Sequence, residues 1–287
     1  MISIIICTIK PELLSQLSRN IAETIGCPYE IIAMDNSLDN KPLCKVYNYG
    51  ASRAKYEYLV FVHEDVLFKT ENWGQPLSDL LKEQETGLIG VSGAIYKSAI
   101  PSPWSAIPSE YYRTNSIQRR LSSGCFDISI IKDTADSDKS QVVVLDGCFL
   151  AMRKEVWNDF RFNEEVLKGF HFYDMDISLR VGSKFKLYVQ HRFVIEHLSE
   201  GSIDKLWLKE ALLVKKYFMK ILPAKIGCLE NREENKVEYM ASSAFVWACL
   251  KNSYFCIYAV KLFLYCLVVS PFNKNNVNMV KFLLKNL

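Results

Sequence analysis

Tyr58-Leu59-Val60-Phe61-Val62-His63-Glu64-Asp65-Val66 is the stretch whose reading decides the fold. Residues 59–62 are a short apolar run of β-formers, which predicts a strand buried on both faces. The run ends abruptly in His63, Glu64 and Asp65. Two carboxylates at the end of a core strand are costly to bury unless a cation or a donor meets them. In open α/β sheets, ligands bind just outside the carboxyl ends of the strands. The triplet therefore reads either as a solvated turn or as a site for a hard divalent metal carrying phosphates, with Asp65 as its ligand.

Working outward toward the N-terminus, residues 2–7 predict another buried strand. Pro11 suits the first turn of a helix, and Leu13, Leu14, Leu17, Ile21 and Ile25 recur at helical spacing until Gly26. Residues 29–34 predict a strand that ends in Asp35-Asn36-Ser37. The β-α-β order implies a parallel pair with a right-handed crossover, so these strand ends share an edge with His63-Glu64-Asp65. Asp35 reads either as an acceptor for a ribose hydroxyl or base N–H, or as an Asx-turn. No GxGxxG and no P-loop pattern follows the first strand, so the dinucleotide fingerprint is absent. Residues 41–54 are helix-like and carry Asn48-Tyr49-Gly50-Ala51. Arg53 and Lys55 are either phosphate contacts or solvated cations. Residues 73–85 predict an amphipathic helix and 87–92 a strand, which completes a nucleotide-binding half of about a hundred residues.

Downstream, residues 93–138 read as a long irregular insertion. It carries Pro101, Pro103, Pro108, Trp104, Tyr111 and Tyr112, and an acidic tail at 133–138. Such insertions are usually functional or mobile, so it is either a loop over the site touching the acceptor or a surface loop. Residues 141–145 predict a strand, followed by Asp146-Gly147-Cys148-Phe149, and 154–160 a short helix. Asp174 and Asp176 then fall two apart, so on a helix they diverge, whereas Asp176 and Arg180 can pair. Asp174 has no such partner and is either a general base facing the site or a helix N-cap. Residues 186–189 and 193–196 predict strands. His197 follows, either structural or part of a mixed imidazole and carboxylate ligand set for an ion such as Mn²⁺. Ser202 is expected to cap a helix starting near Ile203.

The chain of 287 residues predicts one large domain or one domain with an appendage. A net charge of +3 is too small to argue for nucleic acid. Nine cysteines without a CxxC pair predict reduced thiols in the cytoplasm. The opening run has no basic n-region, so no cleaved leader is expected. From Tyr239 the composition shifts. Residues 244–250 and 254–270 are strongly apolar, but seventeen residues fall short of the roughly 20 that span a bilayer. Lys261 in the middle costs about 2.5–3.5 kcal/mol on insertion. Residues 239–287 are therefore expected to pack on the domain or to lie at the inner face of the cell membrane, with Lys251, Lys261, Lys274, Lys281 and Lys285 toward anionic headgroups.

Assembled in order, these residues make the chain resemble a family 2-type glycosyltransferase of the GT-A fold over about residues 1–202. The matching features are Cys7-Thr8, Asp35-Asn36-Ser37, Asn48-x-Gly50-Ala51, His63-Glu64-Asp65, Asp146-Gly147-Cys148-Phe149 and His197-x-Ser199-x-Gly201-Ser202. The most telling is Gly169-Phe170-His171-x-Tyr173-Asp174-x-Asp176-x-x-Leu179-Arg180, which is similar to a bacterial branch acting in surface polysaccharide synthesis.

The resemblance implies an α/β, GT-A-like fold with a mostly parallel central sheet flanked by helices and a C-terminal helical appendage. The expected organisation is a glycosyltransferase domain at 1–220, with a nucleotide-binding half at 1–92 and an acceptor and catalytic half at 93–220, then an apolar helical region at 221–287. The resemblance implies a hexosyltransferase with a nucleotide-sugar donor, UDP-linked, held by Thr8, Asp35, Asn36, Asn48, Glu64 and Asp65. It implies Mn²⁺ or Mg²⁺ on Asp65 and His197, and Asp174 as base. Asp146, Gly147, His171 and Asp176 fall on the side of a saccharide or lipid-linked acceptor. Two departures stand out: only one aspartate of the family's DxD element is present, and Tyr173 replaces the glutamate of its Glu-Asp pair. One base and no nucleophilic carboxylate favour single displacement with inversion. Two other readings compete. A nucleotidyltransferase needs a basic, Gly-rich loop, whereas residues 7–12 have one lysine and no glycine. The other is a non-catalytic sugar-binding module at a membrane.

Overall fold

The computed structural model describes residues 1–119, 126–131, 138–198, 201–218 and 220–285. The N-terminal elements form close to their expected bounds: β1 (Ile2–Thr8), α1 (Pro11–Thr24), β2 (Tyr29–Asp35), α2 (Leu43–Arg53) and β3 (Tyr58–His63). β1 lies between β2 and β3 and is parallel to both, with Thr8 opposite Asp35 and Cys7 opposite His63. Ile2, Ile4, Ile6, Val60 and Val62 share one buried cluster with Leu17 and Ile21 of α1. On the other face, Phe61 meets Tyr47 of α2 with ring centroids 5.2 Å apart. A Cβ on Gly50 of α2 would lie 2.5 Å from Ile5 Cγ2, so this helix rests directly on the sheet. Alternation along the strands thus covers both faces with helices, and each buried aliphatic side chain contributes about 1.5–3 kcal/mol.

The chain continues through β4 (Val66–Phe68), α3 (Gly74–Lys82), β5 (Thr86–Gly90), β6 (Ser92–Ala94), β7 (Tyr96–Lys97), β8 (Tyr112–Arg119) and β9 (Phe126–Ile131). Next come β10 (Lys139–Val142), β11 (Val144–Leu145), β12 (Phe149–Arg153), α4 (Lys154–Asp159), α5 (Tyr173–Val181), β13 (Lys186–Gln190) and β14 (Ile195–His197). The main sheet has the order β10-β13-β5-β12-β3-β1-β2. It is mixed. β1 is parallel to β2 and β3, and β13 to β5, while β12 runs antiparallel between β3 and β5 and β10 antiparallel to β13. β12 was not expected from the sequence, although its five residues are all buried. Its last residue, Arg153, donates from its guanidinium to the carbonyls of Leu81, Glu83, Gln84 and Thr86.

The expected irregular insertion at 93–138 is corrected. A second sheet, β11-β6-β8-β14-β4 with β9 on β8, runs through it. The strand escaped a hydrophobic-period reading because β8 is polar: Thr114, Asn115, Ser116 and Gln118. Those groups are paired inside the fold. Asn115, 2% exposed, donates to the Phe193 carbonyl at 2.7 Å, and the Ser116 and Ser92 hydroxyls meet at 3.1 Å. Of the acidic tail, residues 133–137 lie outside the described residues, and exposed Asp138 pairs with Arg192.

The chain divides into two compact units, Met1–Ile95 with Tyr112–Gly201, and Tyr96–Tyr111 with Ser202–Leu287. The second unit contains α6 (Lys205–Phe218), β15 (Ala224–Lys225), α7 (Asn231–Lys251), α8 (Ile257–Val269) and α9 (Lys274–Lys285), with β15 paired to β7. Within it, Glu238 of α7 accepts from the Tyr96 and Ser98 hydroxyls. Buried Asn276 donates to the carbonyls of Cys266 and Ser270 and closes the end of α8. The cap of α6 is also corrected: Asp204, not Ser202, accepts from the Trp207 N–H at 2.8 Å. Among the described residues, no helix is long and apolar enough to cross a membrane.

Candidate active site

β1, β2 and β3 are parallel, so their carboxyl ends share one edge. Because β12 is antiparallel to β3, the lead-in Asp146-Gly147-Cys148 reaches that same edge, where the His63 N–H donates to the Cys148 carbonyl at 3.0 Å. After Asp65 the chain turns back as β4 and pairs with β14, placing His197 opposite Val66. The Leu198 N–H donates to the Asp65 carbonyl at 2.9 Å. The outcome is a three-residue cluster. His63, Asp65 and His197 each offer one ligand atom, and these atoms lie within 4.8 Å of one another. His197 Nε2 stands 3.4 Å from Asp65 Oδ1.

Two imidazoles and a carboxylate make a mixed ligand set for a divalent transition ion such as Mn²⁺. A second observation supports a ligand nearby. The Tyr47 hydroxyl is buried with no hydrogen-bond partner among the described residues, and its electrostatic neighbours include Cys7, Cys148 and Asp65. Burial, reinforced by His197, holds the His63 imidazole below its ordinary range. Burial also pulls on His197, but the hydrogen bond and charge of Asp65 outweigh it and raise the affinity for a proton.

Asp174 lies in the first turn of α5. The N-cap is Phe172, in the left-handed region at φ 63°, with no side-chain cap bond. The capping alternative for Asp174 therefore does not hold, although its Oδ1 accepts from the Met175 N–H at 2.8 Å. A left-handed non-glycine residue stores strain, and such strain clusters at functional sites. Loss of water contact and the Asp146 carboxylate push the Asp174 carboxyl up to about 7, against the pull of backbone N–H groups that include Gly147. A carboxyl poised near neutrality can take a proton from a hydroxyl.

Residues 3–210 match the family described as glycosyltransferase like family. The chain belongs to this glycosyltransferase family. No curated protein matches it in sequence. The S. aureus protein TarS, residues 1–349, superposes with a TM-score of 0.50 at 11% identity, over 93% of this chain and 79% of TarS. The mannosyltransferase PcManGT of Pyrobaculum calidifontis, solved with GDP-Man and Mn²⁺, gives 0.49 at 12% identity over 99% and 86%. GalNAc-T7, solved with UDP, GalNAc and Mn²⁺, gives 0.48 at 10% identity over 70% of this chain. The chain spans 44% of GalNAc-T7. The fold is GT-A.

Within this glycosyltransferase, Asp65 and His197 come together as the sequence suggests, and His63 joins them. His63 ends β3 and Asp65 follows in the turn, so the pairing of β4 with β14 is what brings His197 to both. Thr8 and Glu64 meet, but not around an open space. Glu64 Oε2 accepts from the Thr8 hydroxyl at 2.6 Å and from the N–H groups of Ile9 and Lys10 at 3.1 and 3.0 Å. Glu64 thus ties down the loop after β1.

Asp35 is exposed at the end of β2 and forms the Asx-turn, accepting from the Ser37 N–H at 2.9 Å. Asn36 is 2% exposed, and its amide exchanges hydrogen bonds with the Lys41 backbone. Asn48 is engaged within the fold as well. Its oxygen accepts from Trp157 and Phe162, and its nitrogen donates to the Phe162 carbonyl and Glu164. Both amides are therefore spent within the fold. Asp146 Oδ1 accepts from the Cys148 N–H, which sets its carboxylate beside Asp174. A Cβ on Gly147 would lie 2.1 Å from the Tyr173 hydroxyl. His171 is half-buried just before α5. Asp176 is 1% exposed and accepts from Arg180 at 2.5 and 2.8 Å and from Asn163 at 3.3 Å. Ser199 lies outside the described residues.

Proposed function

We propose that the protein moves a hexosyl group from a nucleotide-sugar donor, UDP-linked, to a hydroxyl of a saccharide or lipid-linked acceptor, with inversion. One juxtaposition carries this reading: the His63–Asp65–His197 cluster and the near-neutral Asp174 carboxyl meet at one sheet edge. His63, Asp65 and His197 would hold a divalent ion. Such an ion, when bound, would supply positive charge for the nucleoside diphosphate leaving group. Asp35, exposed at the end of β2 with β1 between it and β3, suits a ribose hydroxyl or base N–H. Glu64 holds the loop at residues 8–10 in shape beside it. Asp174 takes the acceptor proton as the new bond forms, and single displacement needs no other base.

The second unit suits the inner membrane surface. Residues 239–287 carry five lysines and no aspartate or glutamate. Ile257, Val260, Leu264 and Val268 recur along one side of α8 and are 53–81% exposed. Lys261 shares that side. An apolar stripe with basic residues and no acidic ones fits anionic headgroups.

Purified protein incubated with a panel of UDP- and GDP-sugars, with Mn²⁺ or with a chelator, tests the proposal. Turnover of a donor only with the metal, and a product of inverted anomeric configuration by NMR, is the expected result. Binding of sugar without turnover of any sugar nucleotide would return the chain to the sugar-binding reading.

A further inference from the structure

We propose that the apolar pocket between α7, α8 and α9 holds one alkyl chain of an anionic lipid. This deepens the membrane-surface reading of the second unit, on which it rests for the source of that lipid.

The pocket lies wholly within the second unit, and every side chain that lines it is uncharged. Val246 and Cys249 of α7 and Ala259 of α8 are buried and form its floor. Phe255 and Val260 also line it but are exposed, so they stand at its mouth. Leu283 contributes from α9. The walls are held apart by packing beside the pocket. Phe245 meets Tyr258 of α8, and Trp247 meets Phe282 of α9, each pair with ring centroids 5.7 Å apart. The Tyr254 N–H donates to the Cys249 carbonyl at 2.9 Å, which fixes the turn that presents Phe255.

The pocket volume is about 80 Å³. A single water needs about 10–15 Å³ together with several polar partners. Walls made almost entirely of carbon do not supply those partners, whereas a methylene chain needs none. The space suits one chain of several carbons rather than a bulky ring system.

The mouth indicates the head that such a chain carries. Val260 belongs both to the pocket and to the exposed stripe of α8 that includes Ile257, Leu264 and Val268. Lys251 and Lys261 are exposed and directly follow the lining residues Leu250 and Val260. Residues 239–287 contain no aspartate or glutamate. An amphiphile whose chain enters here therefore meets cations at its head, and a negative head is favoured.

The test is calorimetry of the full chain with monomeric alkyl phosphates of increasing chain length, below their micelle concentrations, beside flotation with phosphatidylserine vesicles. Affinity should rise about fourfold with each added carbon and level off once the pocket is full. Ala259→Met fills the pocket from its floor, and Val260→Asp charges the mouth at an exposed position that needs no core change. Each should weaken alkyl phosphate binding about tenfold or more, the worth of roughly two buried methylenes. Ile257→Ser and Val268→Ser lie on the exposed stripe outside the pocket, so they should weaken flotation and leave alkyl phosphate affinity unchanged. Affinity independent of chain length, or wild-type affinity in both pocket variants, overturns the proposal. Flotation of the wild type without alkyl phosphate binding overturns it as well and leaves the surface reading standing. Alkyl phosphate binding without flotation removes the surface reading and keeps the pocket, with a free amphiphile as its ligand. If no alkyl phosphate binds and the chain sediments as a dimer, a second copy covers the mouth and the proposal falls.

Discussion

His197 Nε2 and Asp65 Oδ1 stand 3.4 Å apart, the one at the end of β14, the other in the turn after β3. The antiparallel pairing of β4 with β14 creates this contact. If the pair holds an ion that carries the donor diphosphate, Asp65→Ala and His197→Ala should lose Mn²⁺-dependent nucleotide binding. Calorimetry of UDP binding with and without Mn²⁺ measures it. Unchanged metal-dependent affinity in Asp65→Ala would remove that residue from the ligand set.

Asp174 makes a pH prediction. Its carboxyl, lifted to about 7, is a base only when ionised, so kcat should fall as pH drops through that value. Asp174→Asn should keep donor binding yet lose about 10²–10⁴ of the transfer rate. A pH–rate profile at saturating donor reads both. A folded Asp174→Asn variant that transfers at the wild-type rate would end the assignment.

The same group acts on stability with the opposite sign from an ordinary paired carboxylate. Its folded pKa lies above its unfolded value, so the folded state holds a proton that the unfolded state has released. Stability from this group is present below the unfolded value of 3.8 and is lost as pH rises to about 7. In metal-free protein, Asp174→Asn should therefore melt higher than wild type above that pH, and the gain should vanish in acid. Thermal melts across pH compare the two. An Asn variant less stable at every pH would contradict the origin assigned to the shift.

Asp176 is a stability residue. An exposed helical pair is worth at most about 1 kcal/mol, but this carboxylate is 1% exposed and bound by Arg180 and Asn163. Breaking a buried pair costs about 3–5 kcal/mol. Asp176→Asn should lower the urea midpoint accordingly while the folded fraction still binds donor. A loss of transfer without loss of stability would instead place Asp176 in the chemistry.

The apolar, basic second unit should carry the chain to anionic vesicles. Flotation with phosphatidylserine vesicles should recover the protein at low salt, and added salt should release part of it. Replacing Lys251, Lys261 and Lys274 by Gln should weaken binding by about 1 kcal/mol for each lysine that contacts the surface. Recovery that ignores both lipid charge and these lysines would assign the exposed face of α8 to packing or to a dimer.

Much of this was legible in one dimension because it is local. Runs such as Ile2-Ser3-Ile4-Ile5-Ile6 and Leu59-Val60-Phe61-Val62 announce buried strands, and Leu17 and Ile21 announce the helix face that covers them. The order β-α-β brought Asp35 and Asp65 to one edge, and the four-residue spacing paired Asp176 with Arg180. What only the tertiary structure decided depends on pairing between distant strands. β12 entered the sheet antiparallel and delivered Asp146 and Gly147 to the site. β8 is held by polar side chains, which carry no hydrophobic period, yet it set Gln118 against His197. Asn48 and Glu64 had the chemistry of ligand contacts and bond backbone and side-chain groups of the fold around them. A sequence states which groups can donate, accept or ionise. The buried partners that use up those capacities, and so leave others for a ligand, are assigned only when the chain closes on itself.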